Sequence, residues 1–522
     1  MIKYSVFTIL FFTSLISFSQ ILPSGVELKK GIPQSLRTGN QIDRFIYNDD
    51  NMSIALDRSG SKMAFYSFDN NLATKTVKEE WLKLDNKELR YEKVVVMAGN
   101  IYVFSSYYDE ESFTTTLYKQ ELDKETLKLS TPEVFYENET DEEIGKTNYH
   151  LAVSENAQWF LLDVAVKIEQ EKGEKEFEVF DIIVYDHEFK ESWKLEEMQI
   201  SDEETKMRRY NYQISDNGTV AMLASASSFG DVDISATTIT VNNITELMSM
   251  LDAAQRFIVT ISKDKEPVLY ELKLEEYKLL SVKYAFTQED KISLIGVYKA
   301  KEGKERGFYY AQVNLSDGDF DFENMMVFGD MNGVITANSH AMDPQVAEAL
   351  RLTRTVRPGF RMYGLMPDEN GVTMVGESTF SDFSNSTTYF YGIAIVRFNY
   401  DGEIEWRQGI PKIQYGAYKM SKYNSFGMVK SGSKLSFIFN FLPYDKTGGN
   451  VEGKSWLAKK SSDVYLAQVD DGGEVTIDLL MEGTKKPYWL PRRFYQTSDG
   501  EVIFVGGDGK STSLTRVSVS GE

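Results

Sequence analysis

Residues 149–198 read YHLAVSENAQWFLLDVAVKIEQEKGEKEFEVFDIIVYDHEFKESWKLEEM, which is four apolar runs separated by two short polar turns and one longer charged loop. The first turn, Ser154-Glu155-Asn156-Ala157, and the last, Asp186-His187-Glu188, contain residue types that are common in tight turns. Each apolar run has the length of a strand. This stretch therefore predicts four short antiparallel strands, a to d, with tight turns between a and b and between c and d.

The same two turns recur along the chain, and such recurrence indicates a structural repeat. The first turn occurs eight times, with clear copies at Ser215-Asp216-Asn217-Gly218 and Ser498-Asp499-Gly500. The second turn follows one strand pair later, as at Asp401-Gly402 and Asp470-Asp471-Gly472-Gly473. The repeat units begin near residues 43, 91, 148, 209, 281, 360, 424 and 492.

An all-β chain of such repeats resembles a β-propeller, although it has neither a Trp-Asp dipeptide nor a kelch glycine pair. The resemblance implies a single propeller of eight four-stranded blades. Seven blades is the alternative if residues 43–84 do not form a full blade. Two lobes of stacked sheets is a third arrangement.

The two ends of the chain complement each other. The last repeat stops after its third strand, at residues 514–519, and lacks strand d. Residues 25–33, GVELKKGIP, are similar to the strand-d segment at residues 402–411, GEIEWRQGIP. We therefore predict that an N-terminal strand completes the last blade and closes the ring, which removes exposed sheet edges.

Residues 1–19 have the pattern of a secretory signal peptide, with Lys3, an apolar stretch from Val6 to Phe12, and the small residues Ser17 and Ser19. We expect cleavage after Ser19, which leaves residues 20–522 as the propeller domain. No later apolar run has the length of a transmembrane helix, so we expect a soluble periplasmic or extracellular protein. An exported chain without Cys fits a bacterial cell envelope.

The composition excludes several kinds of site. The 522 residues include 57 Lys and Arg, 79 Asp and Glu, 3 His and no Cys, for a formal net charge of -22. The absence of Cys excludes disulfides, Cys-ligated zinc, iron–sulfur clusters and thiol catalysis. Because phosphate binding needs a basic surface, the acidic excess excludes a typical nucleic-acid partner. We also expect no metal and no cofactor.

The longest loops lie at one end of the predicted repeat, the end that carries the b-to-c loops and the blade connections. These insertions lie near residues 226–256, 329–358 and 443–463. Residues 243–257 and 343–350 have apolar spacing or capping residues that are typical of helices. Such helices either cover the ring or form a surface that binds a partner protein, and both interpretations stay open.

Strand a of each blade is expected to line the central channel, and several of these strands open with a cation that is followed by an aromatic residue. The candidate ligand-binding residues at this channel mouth are Arg44, Lys93, Arg208, Arg209, Tyr210, Lys283, Arg361, Tyr363, Arg492 and Arg493. In an acidic protein such a ring favours a carboxylate, a phosphate, or an acidic glycan or peptide. The alternative is that these residues pair with acidic loops and hold the blades in register.

Together these patterns predict a non-enzymatic, exported propeller that acts as a protein-binding or ligand-binding scaffold. The chain has no Gly-x-Ser-x-Gly motif, and we predict no catalytic residue. The alternative function is a carbohydrate-active enzyme, a glycoside hydrolase or a lyase, that uses carboxylates and Tyr at the channel mouth.

Overall fold

The eight predicted repeats form eight four-stranded antiparallel sheets arranged as one propeller. The structure is a computed structural model, and it describes residues 22–31, 42–140, 146–168, 177–199, 206–227, 255–288, 290–303, 305–316, 319–327, 359–382, 387–412, 414–417, 425–441, 463–481, 488–498, 500–507 and 512–520. The predicted signal peptide and most of the three predicted insertions lie outside the described residues.

The first half of the ring is built from strands near the predicted positions. The N-terminal strand β1 is Val26–Lys30, and blade 1 is β2 (Arg44–Asn48), β3 (Met52–Ser59), β4 (Lys62–Asp69) and β5 (Thr74–Trp81). A small hairpin, β6 (Lys83–Leu84) and β7 (Lys87–Glu88), leads to blade 2, which is β8 (Arg90–Met97), β9 (Asn100–Asp109), β10 (Thr114–Leu122) and β11 (Glu133–Glu139). Blade 3 is β12 (Asn148–Val153), β13 (Trp159–Ile168), β14 (Phe177–Asp186) and β15 (Glu191–Gln199), and blade 4 is β16 (Lys206–Ile214), β17 (Val220–Ser227), β18 (Gln255–Ile261) and β19 (Val268–Glu271).

The second half follows the same order. Blade 5 is β20 (Tyr277–Gln288), β21 (Lys291–Ala300), β22 (Arg306–Asn314) and β23 (Phe320–Val327). Blade 6 is β24 (Gly359–Pro367), β25 (Gly371–Asp382), β26 (Thr387–Asn399) and β27 (Ile404–Ile410), with β28 (Gln414–Ala417) as a further strand on β26. Blade 7 is β29 (Gly427–Ser431), β30 (Lys434–Phe441), β31 (Asp463–Val469) and β32 (Val475–Met481), and blade 8 contains β33 (Tyr488–Ser498), β34 (Glu501–Gly507) and β35 (Thr512–Val519).

These bounds confirm eight blades. Residues 44–81 form a complete four-stranded sheet, so the seven-bladed alternative is wrong. Each predicted repeat start lies within a few residues of the first strand of a blade. The turn residues indicated these starts because Asp, Asn and Gly adopt tight-turn conformations wherever the strands lie.

The N-terminal strand closes the ring as predicted. β1 pairs antiparallel with β35, with Val26 opposite Val519 and Lys30 opposite Thr515. The amide of Gly31 extends the ladder by donating a 2.9 Å hydrogen bond to the carbonyl of Leu514. Blade 8 therefore has the strand order β1-β35-β34-β33, and its outermost strand comes from the other end of the chain.

The first strand of each blade faces the middle of the ring. First strands of neighbouring blades lie against one another, for example β2 with β8 and with β33. The apolar core lies between the faces of adjacent blades, where Ile54 and Phe65 of blade 1 pack with Ile101 and Val103 of blade 2. The middle strands of a blade are buried on both faces, and their sequences are therefore continuous apolar runs.

One helix prediction is partly wrong. The segment 243–257 was predicted to be helical, yet Gln255–Ile261 forms strand β18, so its last three residues belong to a sheet. Their backbones pair in register with β17, and this long-range pairing overrides the local helical spacing. The rest of that segment and residues 343–350 lie outside the described residues. Within the described ranges no segment is a helix, and hence none is a helix able to cross a membrane.

Aromatic side chains of one blade rest on glycine turns of the next. The Trp406 indole donates a 2.8 Å hydrogen bond to the carbonyl of Asp471, and its ring lies against Gly473. Phe322 covers Gly402 in the same way, and Trp159 covers Gly218. These contacts join consecutive blades through their turns.

Replacing Gly473 with Ala is expected to lower the free energy of unfolding by about 2 kcal/mol, because the new methyl group meets both a backbone and a packing penalty. Gly473 has φ +80, and a Cβ there would lie 2.8 Å from Cγ of Trp406. Gly99 is the matched control, since it has φ +79 and no atom within 4 Å of the added Cβ. Gly99→Ala should cost only about 1 kcal/mol in urea denaturation. Equal losses for the two variants would contradict a packing role for Trp406.

Candidate functional site

A cavity of 1190 Å³ occupies the channel between the first strands of the blades. Its wall is made by the inner strands of blades 2 to 7, which bring Lys93, Tyr212, Lys283 and Tyr363 to one space. The turns that follow these strands form one end of the cavity. The folding of the ring thus brings together residues that are far apart in the sequence.

Two lysines reach this wall from the middle of their strands. Lys283 is half-buried in β20, and its side chain makes no ion pair or hydrogen bond with any residue that the structure describes. Lys93 is half-buried in β8, and its Nζ donates a hydrogen bond to the carbonyl oxygen of Leu151 in blade 3. Burial lowers the pKa of the Lys93 amine, and the charge of Arg44 lowers it further.

The acidic residues of the cavity lie at its turn end, and one of them is neutralised within the protein. Glu155, Asp216 and Glu369 belong to the turns after β12, β16 and β24. Asp368 accepts two hydrogen bonds from the guanidinium of Arg397, one of them 2.7 Å long. Burial raises the pKa of Asp368, but the hydrogen bonds from Arg397 and from the amide of Asn370, together with the charges of Arg397 and Lys430, outweigh burial and lower it.

The predicted cations occupy several different environments. Arg44 is exposed and contacts the hydroxyl of Tyr91. Arg361 is exposed, and its guanidinium lies 5.2 Å from the centre of the Tyr363 ring. Arg493 donates a 2.8 Å hydrogen bond to the carbonyl of Ile42 in the neighbouring blade. The backbones of Arg208 and Arg492 lie in β16 and β33, and their side chains are outside the described part.

Arg209 and Tyr210 are held within the ring wall. Arg209 is buried and forms an ion pair with Asp163, which is itself fully buried. The guanidinium lies 3.3 Å from the centre of the Phe180 ring. Tyr210 packs on an apolar cluster, and its hydroxyl accepts a 3.3 Å hydrogen bond from Arg256. These contacts match the alternative in which the cation links neighbouring blades.

His150 belongs to the same group and was missed in the sequence. Its Nδ1 lies 2.9 Å from Oδ2 of Asp163, and since a carboxylate only accepts, Nδ1 donates this hydrogen bond. The ring is stacked on Tyr212 at 4.6 Å, and the side chain is 43% exposed. The signal in the sequence is Asp163 itself, a single acid within the apolar run Phe160–Val164.

Tyr363 connects the cavity to a second buried group. Its hydroxyl donates a 2.6 Å hydrogen bond to Oε2 of Glu377, which also accepts a 2.8 Å hydrogen bond from Ser425. The other oxygen of Glu377 is paired with Lys412, and the side chains of Glu377 and Lys412 are both 0% exposed. Glu377 and Lys412 were also missed, because neither follows the pattern of a channel residue.

No protein-family model and no curated protein matches this chain. Among solved structures it is similar to a prolyl endopeptidase, with TM-score 0.39 and 9% identity over 90% of this chain. The chain spans 55% of the length of that protein. It is also similar to an ulvan lyase of a polysaccharide lyase family, with TM-score 0.39 and 10% identity over 69% of this chain and 79% of the other. The β-propeller domain of the Trilobed protease from Pyrococcus furiosus matches with TM-score 0.34 and 9% identity over 86% of this chain and 100% of that domain.

Proposed function

We propose that the protein is a non-enzymatic, exported scaffold of a bacterial cell envelope that binds an anionic partner, an acidic glycan or the acidic segment of a protein, in its central channel. One observation carries the proposal: Lys283 and Arg361 have no ion pair among the described residues, although the chain has 79 acidic residues. Lys283 lies on the cavity wall, and Arg361 lies beside Tyr363, which lines the same cavity, so these cations favour an anionic ligand there. The pattern of residues 1–19 supports export.

The contacts divide the predicted cations into two groups. Arg209 is buried and paired with Asp163, and we assign it to the stability of the ring. Lys283 and Arg361 are assigned to the ligand, and Tyr363 beside Arg361 offers an aromatic face for a sugar ring or a peptide side chain. The proposed ligand-binding site is therefore not a uniform ring of cations. It is formed by Lys283 of blade 5 and Arg361 of blade 6.

We expect the double variant Lys283→Gln/Arg361→Gln to lose affinity for acidic polysaccharides by about tenfold or more, because a hydrogen bond to a charged group contributes about 1.5–3 kcal/mol. Affinity is measured by titration of the exported protein with a panel of sulfated and carboxylated glycans. Lys263→Gln/Lys265→Gln is the matched control, since both lysines are exposed on the turn between β18 and β19. An equal loss in both double variants would mean that bulk charge, and not the channel, binds the glycan.

A carbohydrate-active enzyme is the second candidate function, and His150 is the observation that favours it. Asp163 orients the imidazole, which is stacked on Tyr212 of the cavity wall, and an imidazole held by a carboxylate can act as a general base. Release of new reducing ends from a polysaccharide, lost in His150→Gln, would support the enzyme. Binding without turnover on the same panel would support the scaffold.

A further inference from the structure

Lys93 is half-buried, and it differs from the buried Lys412 in what surrounds its amine. Lys412 is 0% exposed and paired with Glu377, so its charge is matched and no ligand reaches it. Lys93 lines the cavity, and among the described residues the only hydrogen-bond partner of its amine is a neutral carbonyl oxygen, that of Leu151. Among the described residues, no carboxylate lies within ion-pair distance of Lys93.

The surroundings of Lys93 favour a neutral amine. Its side chain is half-buried in the ring wall, and burial of an ammonium without a counter-ion is costly. The positive charge of Arg44 acts in the same direction, and together burial and Arg44 lower the pKa of Lys93. A neutral amine is the nucleophilic form of lysine, and a second cation nearby is a known way to maintain it.

The cations near Lys93 also indicate which class of molecule could react with its amine. Arg44 is exposed, and only its contacts with Tyr91 are described, so its guanidinium is available to a carboxylate. Lys283 has no described partner on the same cavity wall. A small molecule with a carbonyl and a carboxylate would place the first at the amine and the second at a cation.

We propose that Lys93 is a covalent site that forms a Schiff base with an oxo acid, a carbonyl compound that carries a carboxylate. The amine nitrogen attacks the carbonyl carbon, and the addition product loses one water molecule to give an imine. The reaction is reversible and needs no oxidant or reductant. This inference goes beyond the proposed binding of a polymeric anion, since it concerns a covalent step at another residue.

The experiment uses the full exported protein with glyoxylate and sodium cyanoborohydride, which reduces the imine to a stable secondary amine. Peptide mapping by mass spectrometry then locates the adduct. We expect Lys93 to be the main modified residue, ahead of Lys283 and Lys430 on the same wall. We expect the adduct to be lost in Lys93→Arg, because a guanidinium does not form this imine. Modification spread evenly over the surface lysines, or an unmodified Lys93, would overturn the proposal.

A second experiment tests the role of the ligand's carboxylate, and it uses the protein without any substitution. Excess acetate should slow the modification of Lys93 by glyoxylate but leave its modification by propionaldehyde, which has no carboxylate, unchanged. Equal rates for glyoxylate with and without acetate would refute an oxo acid as the ligand. The adduct at Lys93 and the binding of glycans are measured separately. A missing adduct would therefore refute this inference without refuting glycan binding, and a loss of glycan binding would leave this inference intact.

Discussion

Replacing Lys412 with Met is expected to lower the free energy of unfolding by about 3–5 kcal/mol, because the change leaves Glu377 buried without its counter-ion. Both side chains are 0% exposed, so water cannot replace the lost ammonium. Glu377 keeps its hydrogen bonds from Tyr363 and Ser425, which offset only part of the cost. Urea denaturation followed by far-UV circular dichroism measures the loss.

Two control variants separate the cost of leaving a buried charge unpaired from the cost of losing an ion pair at the surface. The double variant Glu377→Gln/Lys412→Met removes both charges and should recover most of the stability. Lys291→Met breaks an ion pair with Asp321 in which both side chains are partly exposed, and it should cost less than about 1 kcal/mol. A Lys412→Met protein as stable as the parent would show that the buried pair does not stabilise the fold.

A protein that begins at residue 32 is expected to lose about 3 kcal/mol of stability, because it lacks β1 and the burial of Val26 and Leu28. Val26 is buried in the cluster between blades 7 and 8, and Leu28 packs against it. Removal of β1 also leaves β35 as an unpaired edge, which promotes association between molecules. Thermal unfolding and size-exclusion chromatography of residues 20–522 and 32–522 measure the two effects.

A synthetic peptide of residues 20–31 provides the control for this deletion. Added to the shortened protein, it should occupy the open edge, raise the melting temperature and reverse the association. A peptide with Val26→Asp should do neither, because the carboxylate would enter the apolar cluster. Identical stability of the two proteins without peptide would contradict a structural role for β1.

The fold could be predicted because its signals are local. Asp186 accepts hydrogen bonds from the amides of Glu188 and Lys190, and Asn399 caps the equivalent turn of blade 6 in the same way. Such residues determine their turn within a few positions of sequence, so the repeats are visible before any strand is assigned. The closing strand was predictable because its sequence resembles another strand d.

The site could be predicted only in outline, because its chemistry depends on partners far along the chain. Arg209 and Lys283 fit the same sequence pattern, yet Arg209 meets Asp163 in the preceding blade while Lys283 meets no described partner. His150 received no role because the residues that orient it, Asp163 and Tyr212, lie on other strands. The order of the blades decides these pairs, and no local spacing encodes it.

The pairing of β1 with β35 also determines how the ring would respond to mechanical force. Val26 and Val519 face each other at the end of the ladder where both strands continue toward the chain ends. A pull that separates these two points loads the Val26–Val519 pair first and peels the ladder one hydrogen bond at a time. Peeling requires less force than sliding two strands lengthwise, so blade 8 would open before the other blades bear the load.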